Sequence, residues 1–405
     1  MRELHMHIEV TLRSTLAARV DSFTRRNQWR ASCALLILSA AVPATAGETN
    51  LQVSSPQYRQ SADIDTYQAR FGRTRPVIAV VGENSGTELT DFVIPYGILS
   101  RSQTAEVLAV ATHARPMQMR PALTIQPQST LESFDESFPD GADYVIVPAI
   151  MTMDSKEPSI LVSWIQEQAH KGATVVSICD GALIVAKAGL FNGHRATGHW
   201  ATRAKRERDY PETQWLQDTR YVADGKVIST AGVTAAIPLS LALVEAFAGT
   251  QRAMQVAQEI GVSDWSSEHD SSKFHLGVGG YLLAIRNRLS VHHDIAVALS
   301  PDADEVALAL TADAFSRTYR SHAYAVSNSP DGVHTRHGLT VLPDLVAGKD
   351  IKLPDLKTID GFPPAQALDR ALIDIANLYG RSTANFVALQ LEYLRPKGGE
   401  RNQGR

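Results

Sequence analysis

Hydrophobic positions between residues 75 and 262 follow two alternating patterns. Short runs rich in Val, Ile and Ala predict buried strands, and the stretches between them carry apolar residues at helical spacing. The predicted strands are residues 77–81, 106–111, 144–147, 174–178 and 226–229, and the predicted helices are residues 91–100, 160–170, 182–189 and 238–247. This alternation indicates an α/β fold of flavodoxin-like or Rossmann-like type, with a parallel sheet sandwiched by helices.

A weaker pattern suggests an internal repeat in the C-terminal part of the chain. Residues 294–299, 305–320, 322–327 and 338–343 follow the order and spacing of residues 77–81, 91–100, 106–111 and 122–127. The second copy has no cysteine and no counterpart of residues 174–189. Two interpretations stay open: a truncated, non-catalytic repeat, or the general similarity of any two βαβ units.

These patterns divide the chain into five segments. Its 405 residues, 44% hydrophobic and 20% charged, exceed one ordinary core of about 100–200 residues. The predicted segments are a signal peptide at 1–46, a polar N-terminal arm at 47–74, an α/β domain at 75–262, a linker with a helix at 263–290, and a smaller α/β region at 291–397.

The first 46 residues have the composition of an export signal. Arg25, Arg26 and Arg30 precede an apolar stretch at residues 31–42, and the small residues that follow predict signal-peptidase cleavage after Ala46. That stretch is too short for the roughly 20 residues that cross a bilayer. We therefore expect a periplasmic or secreted protein with no membrane span, exported by the Sec or the twin-arginine route.

Charge and cysteine content narrow the expected partners. The net charge is -4, and removal of residues 1–46, which carry +3, gives -7. Because no basic block is interleaved with aromatic residues, nucleic acid is not expected as a partner. Cys33 lies in the segment to be removed, which leaves Cys179 without a disulfide partner. The expected partner is a small-molecule substrate or ligand, and a homodimer stays open.

Two charged or metal-binding motifs have ordinary explanations. His292 and His293 are adjacent, so on a strand they point to opposite faces and predict a surface pair rather than a metal site. Arg203, Lys205, Arg206 and Arg208 alternate with acidic residues and predict a solvated helix face. The sequence therefore predicts neither a metal site nor a cofactor.

The most informative segment is the apolar strand that ends at Cys179 and continues as a helix from Gly181. Such a turn holds the side chain at the carboxyl end of the sheet, where open α/β sheets bind ligands. At a helix N-terminus we expect the pKa of Cys179 to lie below its free value of about 8.5. The pattern favours a nucleophile. The alternative is a small, inert core cysteine.

The segments Ser177-Ile178-Cys179-Asp180-Gly181-Ala182 and 188–200 resemble the nucleophile region of the DJ/PfpI superfamily, which is class I glutamine amidotransferase-like. Thr90-Asp91-Phe92-Val93-Ile94-Pro95-Tyr96 is similar to the helix that carries the acidic residue of that family, and residues 224–232 are similar to its late hairpin and strand. The resemblance covers residues 75–261.

The resemblance implies roles for individual residues. Cys179 matches the nucleophile, Asp91 the carboxyl group near the sulfur, and His199 the histidine beside the cysteine in many members. Because two like charges a few Å apart raise one pKa, Asp91 is expected as a protonated partner. Glu88 is the fallback acid. Asp91 as a solvated first-turn carboxylate and His199 as part of a packed loop pair with Trp200 are the alternatives.

The resemblance also places the oxyanion donors on the backbone N–H groups of Asp180 and of Ala149 or Ile150. The chain departs from the family here, because many members have two glycines where Ala149 and Ile150 stand. The acid is also shorter than the glutamate of many relatives.

We therefore expect an exported cysteine-dependent hydrolase, hydratase or lyase, in which Cys179 attacks a small carbonyl, amide or isonitrile-like compound and Asp91 handles the proton. A non-catalytic ligand-binding or redox-sensing module is the alternative. A transcriptional regulator is a third and weaker hypothesis, because some members of the family carry helix-turn-helix units that residues 263–405 do not show.

Overall fold

A seven-stranded sheet forms the centre of the first region in the computed structural model, which describes residues 64–151, 160–348 and 355–394. The predicted signal peptide and most of the predicted arm lie outside these residues. The strands of this region are β1 (Val77–Gly82), β2 (Glu106–Ala111), β3 (Met117–Gln118), β4 (Thr124–Gln126), β5 (Ser129–Thr130), β6 (Tyr144–Val147), β7 (Thr174–Ser177), β8 (Arg195–Ala196), β9 (Gln214–Trp215), β10 (Tyr221–Asp224) and β11 (Val227–Thr230).

The order of the sheet is β10-β11-β7-β6-β1-β2-β5, and every neighbouring pair is parallel except β10 with β11. β1, β6, β7 and β11 are buried along their whole length, because helices cover both faces. The helices of this region are α1 (Leu89–Arg101), α2 (Leu131–Ser137), α3 (Ile160–His170), α4 (Gly181–Lys187), α5 (Arg203–Asp209), α6 (Ala236–Ala248) and α7 (Thr250–Ile260). The predicted fold class is confirmed.

Helix α1 is buried on almost every side, which is unusual for a helix that carries acidic residues. It begins at Glu88, whose side chain accepts the backbone N–H of Asp91 as an N-cap. It packs between α6 and a helix of the second region. The acidic residues at its N-terminus are therefore enclosed within the protein.

A second, smaller α/β region follows the first. Its strands are β12 (His293–Ala298), β13 (Ser321–Ser327), β14 (Val333–His334), β15 (Thr340–Leu342), β16 (Leu345–Val346) and β17 (Asp355–Lys357), and its helices are α8 (Val278–Leu289), α9 (Glu305–Ser316), α10 (Ala367–Tyr379) and α11 (Arg381–Gln390). Its parallel sheet has the order β16-β13-β12-β17. The first sheet contains the same arrangement as β5-β2-β1-β6, and α9 follows β12 as α1 follows β1.

The two regions share one compact unit. Short strands of both regions form one antiparallel sheet of order β14-β15-β4-β3, in which Val341 pairs with Ile125. Helices α1 and α9 also pack together, with Gly97 at the point of contact: a Cβ atom there would lie within 3.0 Å of the Glu305 and Val306 side chains.

Ion pairs close both ends of the α1/α9 contact. Arg101, the last residue of α1, pairs with Asp304 at the start of α9. Arg317, just after α9, pairs with Glu88 at the start of α1. Each helix therefore gives an acid at its N-terminus and receives a cation from the C-terminus of the other, which also suits the helix dipoles.

The structure corrects two details of the sequence predictions. Arg206 is buried rather than part of a solvated face, while Arg203, Lys205 and Arg208 are exposed as predicted. Helices α2, α7 and α11 were not predicted. The helices in the described part of the chain are all too short or too polar to cross a bilayer.

Candidate active site at Cys179

Cys179 lies at a strained turn between β7 and α4. Its backbone φ is +56°, a left-handed conformation that a non-glycine residue rarely adopts. The turn is held tightly, because a Cβ atom on Gly181 would lie 2.0 Å from the carbonyl oxygen of Val147. The backbone N–H of Cys179 also donates to Oγ1 of Thr230 on the neighbouring strand at 3.1 Å. The sequence therefore folds into a turn that projects the sulfur beyond the carboxyl end of the sheet.

The thiol is not activated in the way that the sequence suggested. Burial raises the pKa of Cys179 well above its usual value, and the carboxyl groups of Asp91, Asp180 and Glu88 raise it further. The N–H of Asp180 donates to the sulfur and opposes this shift, but it is outweighed. The expectation of a lowered pKa is wrong, because the surrounding acids and the loss of water outweigh the helix N-terminus. At neutral pH Cys179 is a thiol.

Asp91 is fully buried close to the sulfur. Its Oδ2 accepts the N–H of Ala149 at 3.0 Å, and its Oδ1 has no hydrogen-bond partner among the described residues. Burial raises its pKa well above the usual value, and the charge of Glu88 adds to the shift. The raised pKa favours the protonated form of Asp91, and its Oδ1 is open to a ligand.

Glu88 belongs to a buried charge cluster rather than to the approach to the sulfur. Its carboxyl accepts the N–H of Asp91 at 2.6 Å and pairs with Arg317. Asp313 lies on the other side of the same arginine, 2.7 Å from its Nε, and accepts the Thr90 hydroxyl at 2.8 Å. Burial and the facing Asp313 raise the pKa of Glu88 to about 8, although Arg317 opposes the shift.

Arg317 itself stays charged, because Asp313 and Glu88 outweigh the effect of its burial and raise its pKa. One arginine thus faces two acids. The arrangement is electrically neutral when Glu88 holds a proton.

His199 is held by the second region. Its Nε2 lies 3.2 Å from the carbonyl oxygen of Gln390, at the end of α11. Because a carbonyl only accepts, Nε2 must carry the hydrogen, and in the neutral ring Nδ1 is then the acceptor. One nitrogen of His199, the sulfur of Cys179 and one oxygen of Asp180 all lie within 4.8 Å of one another. His199 therefore stands beside the nucleophile in a fixed tautomer, and its Nδ1 accepts the backbone N–H of Ala201 at 3.4 Å.

Asp180 is occupied by its own partners. Its Oδ1 accepts the Thr202 hydroxyl at 2.5 Å and lies 3.8 Å from Arg206. The guanidinium of Arg206 also donates to the carbonyl oxygens of Gly198 and His199. Burial lowers the pKa of Arg206, while Asp180, Cys179 and Glu392 oppose that effect. Arg206 therefore places a buried positive charge near the sulfur and fixes the loop that carries His199.

The predicted oxyanion donors are found at the edge of the site. The N–H of Asp180 donates to the sulfur, and the N–H of Ala149 donates to Asp91. Ile150 pairs with Thr87 in an isolated bridge. The role of these groups toward a developing oxyanion stays a prediction.

Cys179, Asp180 and His199 also form the one cluster among the described residues with spacing suited to a metal ion. The thiol is protonated, and Asp180 is engaged by Thr202 and a buried arginine. The donor set therefore favours proton chemistry over cation binding.

Sequence reasoning missed four residues of this site, all from the second region. Asp313 and Arg317 reach the start of α1, and Gln390 and Glu392 reach the loops that follow β8 and β11. The repeat pattern was the only signal, because pairing α9 with α1 would have placed Arg317 opposite Glu88.

Comparisons with known proteins relate the first region to one family. A family model described as the DJ-1/PfpI family matches residues 77–246. An HTH-type transcriptional regulator of Pseudomonas aeruginosa, CdhR, is 36% identical over 99 residues, which are 24% of this chain and 29% of the regulator. The chain thus spans less than a third of that relative.

Two further relatives are matched over more of their length. Isonitrile hydratase of Pseudomonas putida is 28% identical over 174 residues, 42% of this chain and 72% of the hydratase. The crystal structure of DJ-1beta from Drosophila melanogaster is 21% identical, with 47% of this chain and 99% of that chain covered and a TM-score of 0.41.

Proposed function

Because residues 77–246 form a DJ-1/PfpI family domain, we propose that the protein is a cysteine-dependent hydrolase, hydratase or lyase that acts on a small carbonyl, amide or isonitrile-like compound. The observation that carries the proposal is the strained turn at Cys179, with φ of +56°, set beside a buried Asp91 that has a free oxygen. A core cysteine needs neither the strain nor the acid. The likeness to isonitrile hydratase supports the isonitrile-like class.

The protons of the site define the order of events. In the resting state both Cys179 and Asp91 are protonated, since burial raises both pKa values. Nδ1 of His199 gives up its 3.4 Å hydrogen bond from the Ala201 N–H and takes the thiol proton as the sulfur attacks the electrophilic carbon and forms an S–C bond. Asp91 then delivers its proton to the carbonyl oxygen or to the C–N group, where negative charge develops.

Water completes the cycle without another reactant. For an isonitrile, water adds to the C=N carbon of the thioimidate and one of its protons passes to the nitrogen. For an amide, the amine first leaves with the proton of Asp91, and water then adds to the thioester carbon. The sulfur leaves with its bonding electrons and recovers a proton from His199. A proton from the water also passes to Asp91. Both groups are then restored, and the net reaction is addition of water.

The test is turnover of cyclohexyl isocyanide and of methylglyoxal by the wild-type protein and by Cys179→Ser and Asp91→Asn. We expect Cys179→Ser to lower turnover at least 100-fold, and Asp91→Asn to lower kcat by a similar factor with a smaller effect on KM. Glu207→Gln, on the exposed side of α5, is the control. Full activity of Cys179→Ser would eliminate the mechanism.

One observation favours a second candidate, a non-catalytic ligand-binding module. Cys179 is only 6% exposed and its pKa is raised, which makes it a poor peroxide sensor but suits a thiol that packs against a bound ligand. Binding of a test compound without its turnover in the assay above would select this candidate. The short match to a transcriptional regulator leaves a regulatory role as a prediction.

We also propose that the protein is exported to the periplasm or secreted. The proposal rests on the arginines, apolar stretch and small residues before Gly47. N-terminal sequencing of the mature protein should begin at Gly47, and retention of residues 1–46 on a cytoplasmic protein would refute it.

A further inference from the structure

The last two residues of α11 and the two residues that follow them dock across the loops around Cys179. Four successive carbonyl oxygens each accept a hydrogen bond from the first region: those of Leu389, Gln390, Leu391 and Glu392. The donors are Nε1 of Trp200 at 3.2 Å, Nε2 of His199 at 3.2 Å, the backbone N–H of Thr234 at 3.2 Å and its hydroxyl at 2.9 Å. The last carbonyls of a helix lack partners within the helix, and here the loops of the site satisfy them. The docking fixes the position of Glu392.

The Glu392 carboxyl group is enclosed but incompletely satisfied. Glu392 is 4% exposed and has a φ of +56°. Its Oε1 lies 3.5 Å from Nε2 of the buried His269. Its Oε2 has no hydrogen-bond partner among the described residues, and the same is true of Nε2 of His269. A buried carboxylate oxygen without a donor is costly, so a ligand that supplies one would be favoured.

The location of Glu392 relates this carboxyl group to the sulfur. A Cβ atom on Gly232 would lie 2.2 Å from Oε2, so the carboxyl group rests directly on Gly232. Gly232 comes two residues after Thr230, whose hydroxyl accepts the N–H of Cys179. β11 and β7 run parallel with Ser229 opposite Ser177, so Gly232 and Cys179 leave the sheet at the same edge.

The charged groups around Glu392 determine which atoms of the site remain open to a ligand. Arg206 lies within electrostatic range of both Cys179 and Glu392. Its Nη1 and Nη2 donate to Gly198, His199 and Thr202, and its Nε has no hydrogen-bond partner among the described residues. No hydrogen bond from Arg206 therefore satisfies Oε2 of Glu392. The second open oxygen of the site belongs to Asp91, which is protonated and can serve as a donor. Glu392 is therefore the acceptor available to a ligand.

We propose that Glu392 forms a subsite for a positively charged or N–H-bearing group of the substrate, so that the compound attacked by Cys179 carries an amino group. This inference rests on the proposed function, because it names the substrate class of the same site. The second region thus supplies specificity to a nucleophile that belongs to the first.

The test uses three methanethiosulfonate reagents that modify Cys179 and differ in charge: the 2-aminoethyl (cationic), the 2-sulfonatoethyl (anionic) and the methyl (neutral) compounds. The full-length protein is treated with each reagent and then digested. Mass spectrometry of the peptide that contains Cys179 gives the rate. We expect the ratio of the cationic to the anionic rate to fall at least threefold in Glu392→Gln, with the neutral rate changed less. Glu207→Gln removes an exposed charge near Arg206 and should leave the ratio unchanged.

A second variant tests the position of the carboxyl group rather than its charge. Gly232→Ala keeps the charge but displaces the carboxyl group, and it should reproduce the loss of cation preference. The same ratio in wild type, Glu392→Gln and Gly232→Ala would overturn the subsite, as would a Cys179 that reacts with none of the three reagents. Failure of the proposed function shows separately, as turnover that survives Cys179→Ser.

Discussion

At the residue scale, the reactive cysteine of the site rests as a protonated thiol and not as a thiolate. Burial and three nearby carboxyl groups keep Cys179 protonated, and burial keeps Asp91 protonated. The sequence located both residues, because the strand, the turn and the helix are local patterns. It gave the wrong direction for the pKa of Cys179, because desolvation depends on residues far away in the chain.

The pH dependence of Cys179 alkylation follows from this state. Since its pKa is raised, the rate with iodoacetamide should rise only above pH 8.5, the usual value for a free thiol. Asp91→Asn removes a group that would ionise beside the sulfur as the pH rises, so it should move the midpoint to lower pH. Peptide mass spectrometry gives the rates, and protein unfolded in urea is the control. A midpoint below 8.5 in the folded wild type would contradict this account.

Glu88 makes stability depend on pH in a defined direction. Its pKa is raised from 4.5 to about 8 in the folded protein, so its stabilising proton is fully present below pH 4.5 and is lost as the pH rises through about 8. The melting temperature of the wild type should therefore fall between pH 6 and pH 9 relative to that of Glu88→Gln, which has no proton to lose. The corresponding loss in the free energy of unfolding is on the order of a few kcal/mol. Parallel curves for the two proteins would show that Glu88 is already ionised.

At the element scale, the strand-turn-helix at Cys179 depends on close backbone contact. Alternating apolar runs predicted β1, β2, β6 and β7 to within one residue, because buried parallel strands have strong local signals. Helix α2 was missed because its 7 residues are too few to show a helical period. Helices α7 and α11 were missed as well. Each follows a glycine, Gly249 or Gly380, that ends the helix before it, and such a break reads as a loop when the packing partner is unknown.

Gly181→Ala tests the close contact directly. Its Cβ atom would lie 2.0 Å from the backbone oxygen of Val147, which cannot move without disturbing β6. We expect a loss of more than about 3 kcal/mol in the free energy of unfolding, measured by urea denaturation. Gly279→Ala is the matched control, because that helical glycine has open space around it and alanine there should be neutral or stabilise by up to about 1 kcal/mol. Equal effects of the two substitutions would contradict the role of the contact.

At the scale of the whole molecule, the second region completes the first. It covers α1, balances Glu88 with Arg317, fixes the tautomer of His199 and places Glu392 beside Gly232. The sequence indicated a second α/β region with a related pattern. It could not show that this region reaches the site, because pairs such as Glu88 with Arg317 lie 229 residues apart.

Substitutions in the two ion pairs that close the α1/α9 contact distinguish an effect on stability from an effect on the reaction. Arg317→Gln leaves Glu88 and Asp313 buried without their cation, and Arg101→Gln breaks the equivalent pair with Asp304 at the far end of α1. Both should lower the free energy of unfolding, by up to about 3–5 kcal/mol. Only Arg317→Gln should also lower turnover and shift its pH profile, because only Arg317 faces the acids near the sulfur. An equal loss of turnover in both variants would reduce Arg317 to a structural role.

The central claim is that the reaction passes through a bond between the Cys179 sulfur and the substrate carbon. The most direct measurement is mass spectrometry of the Cys179 peptide after acid quench of the protein during turnover of cyclohexyl isocyanide. The account predicts the mass of one substrate molecule on that peptide, absent in Cys179→Ser together with turnover. Steady turnover with an unmodified Cys179, equally fast in Cys179→Ser, would contradict it.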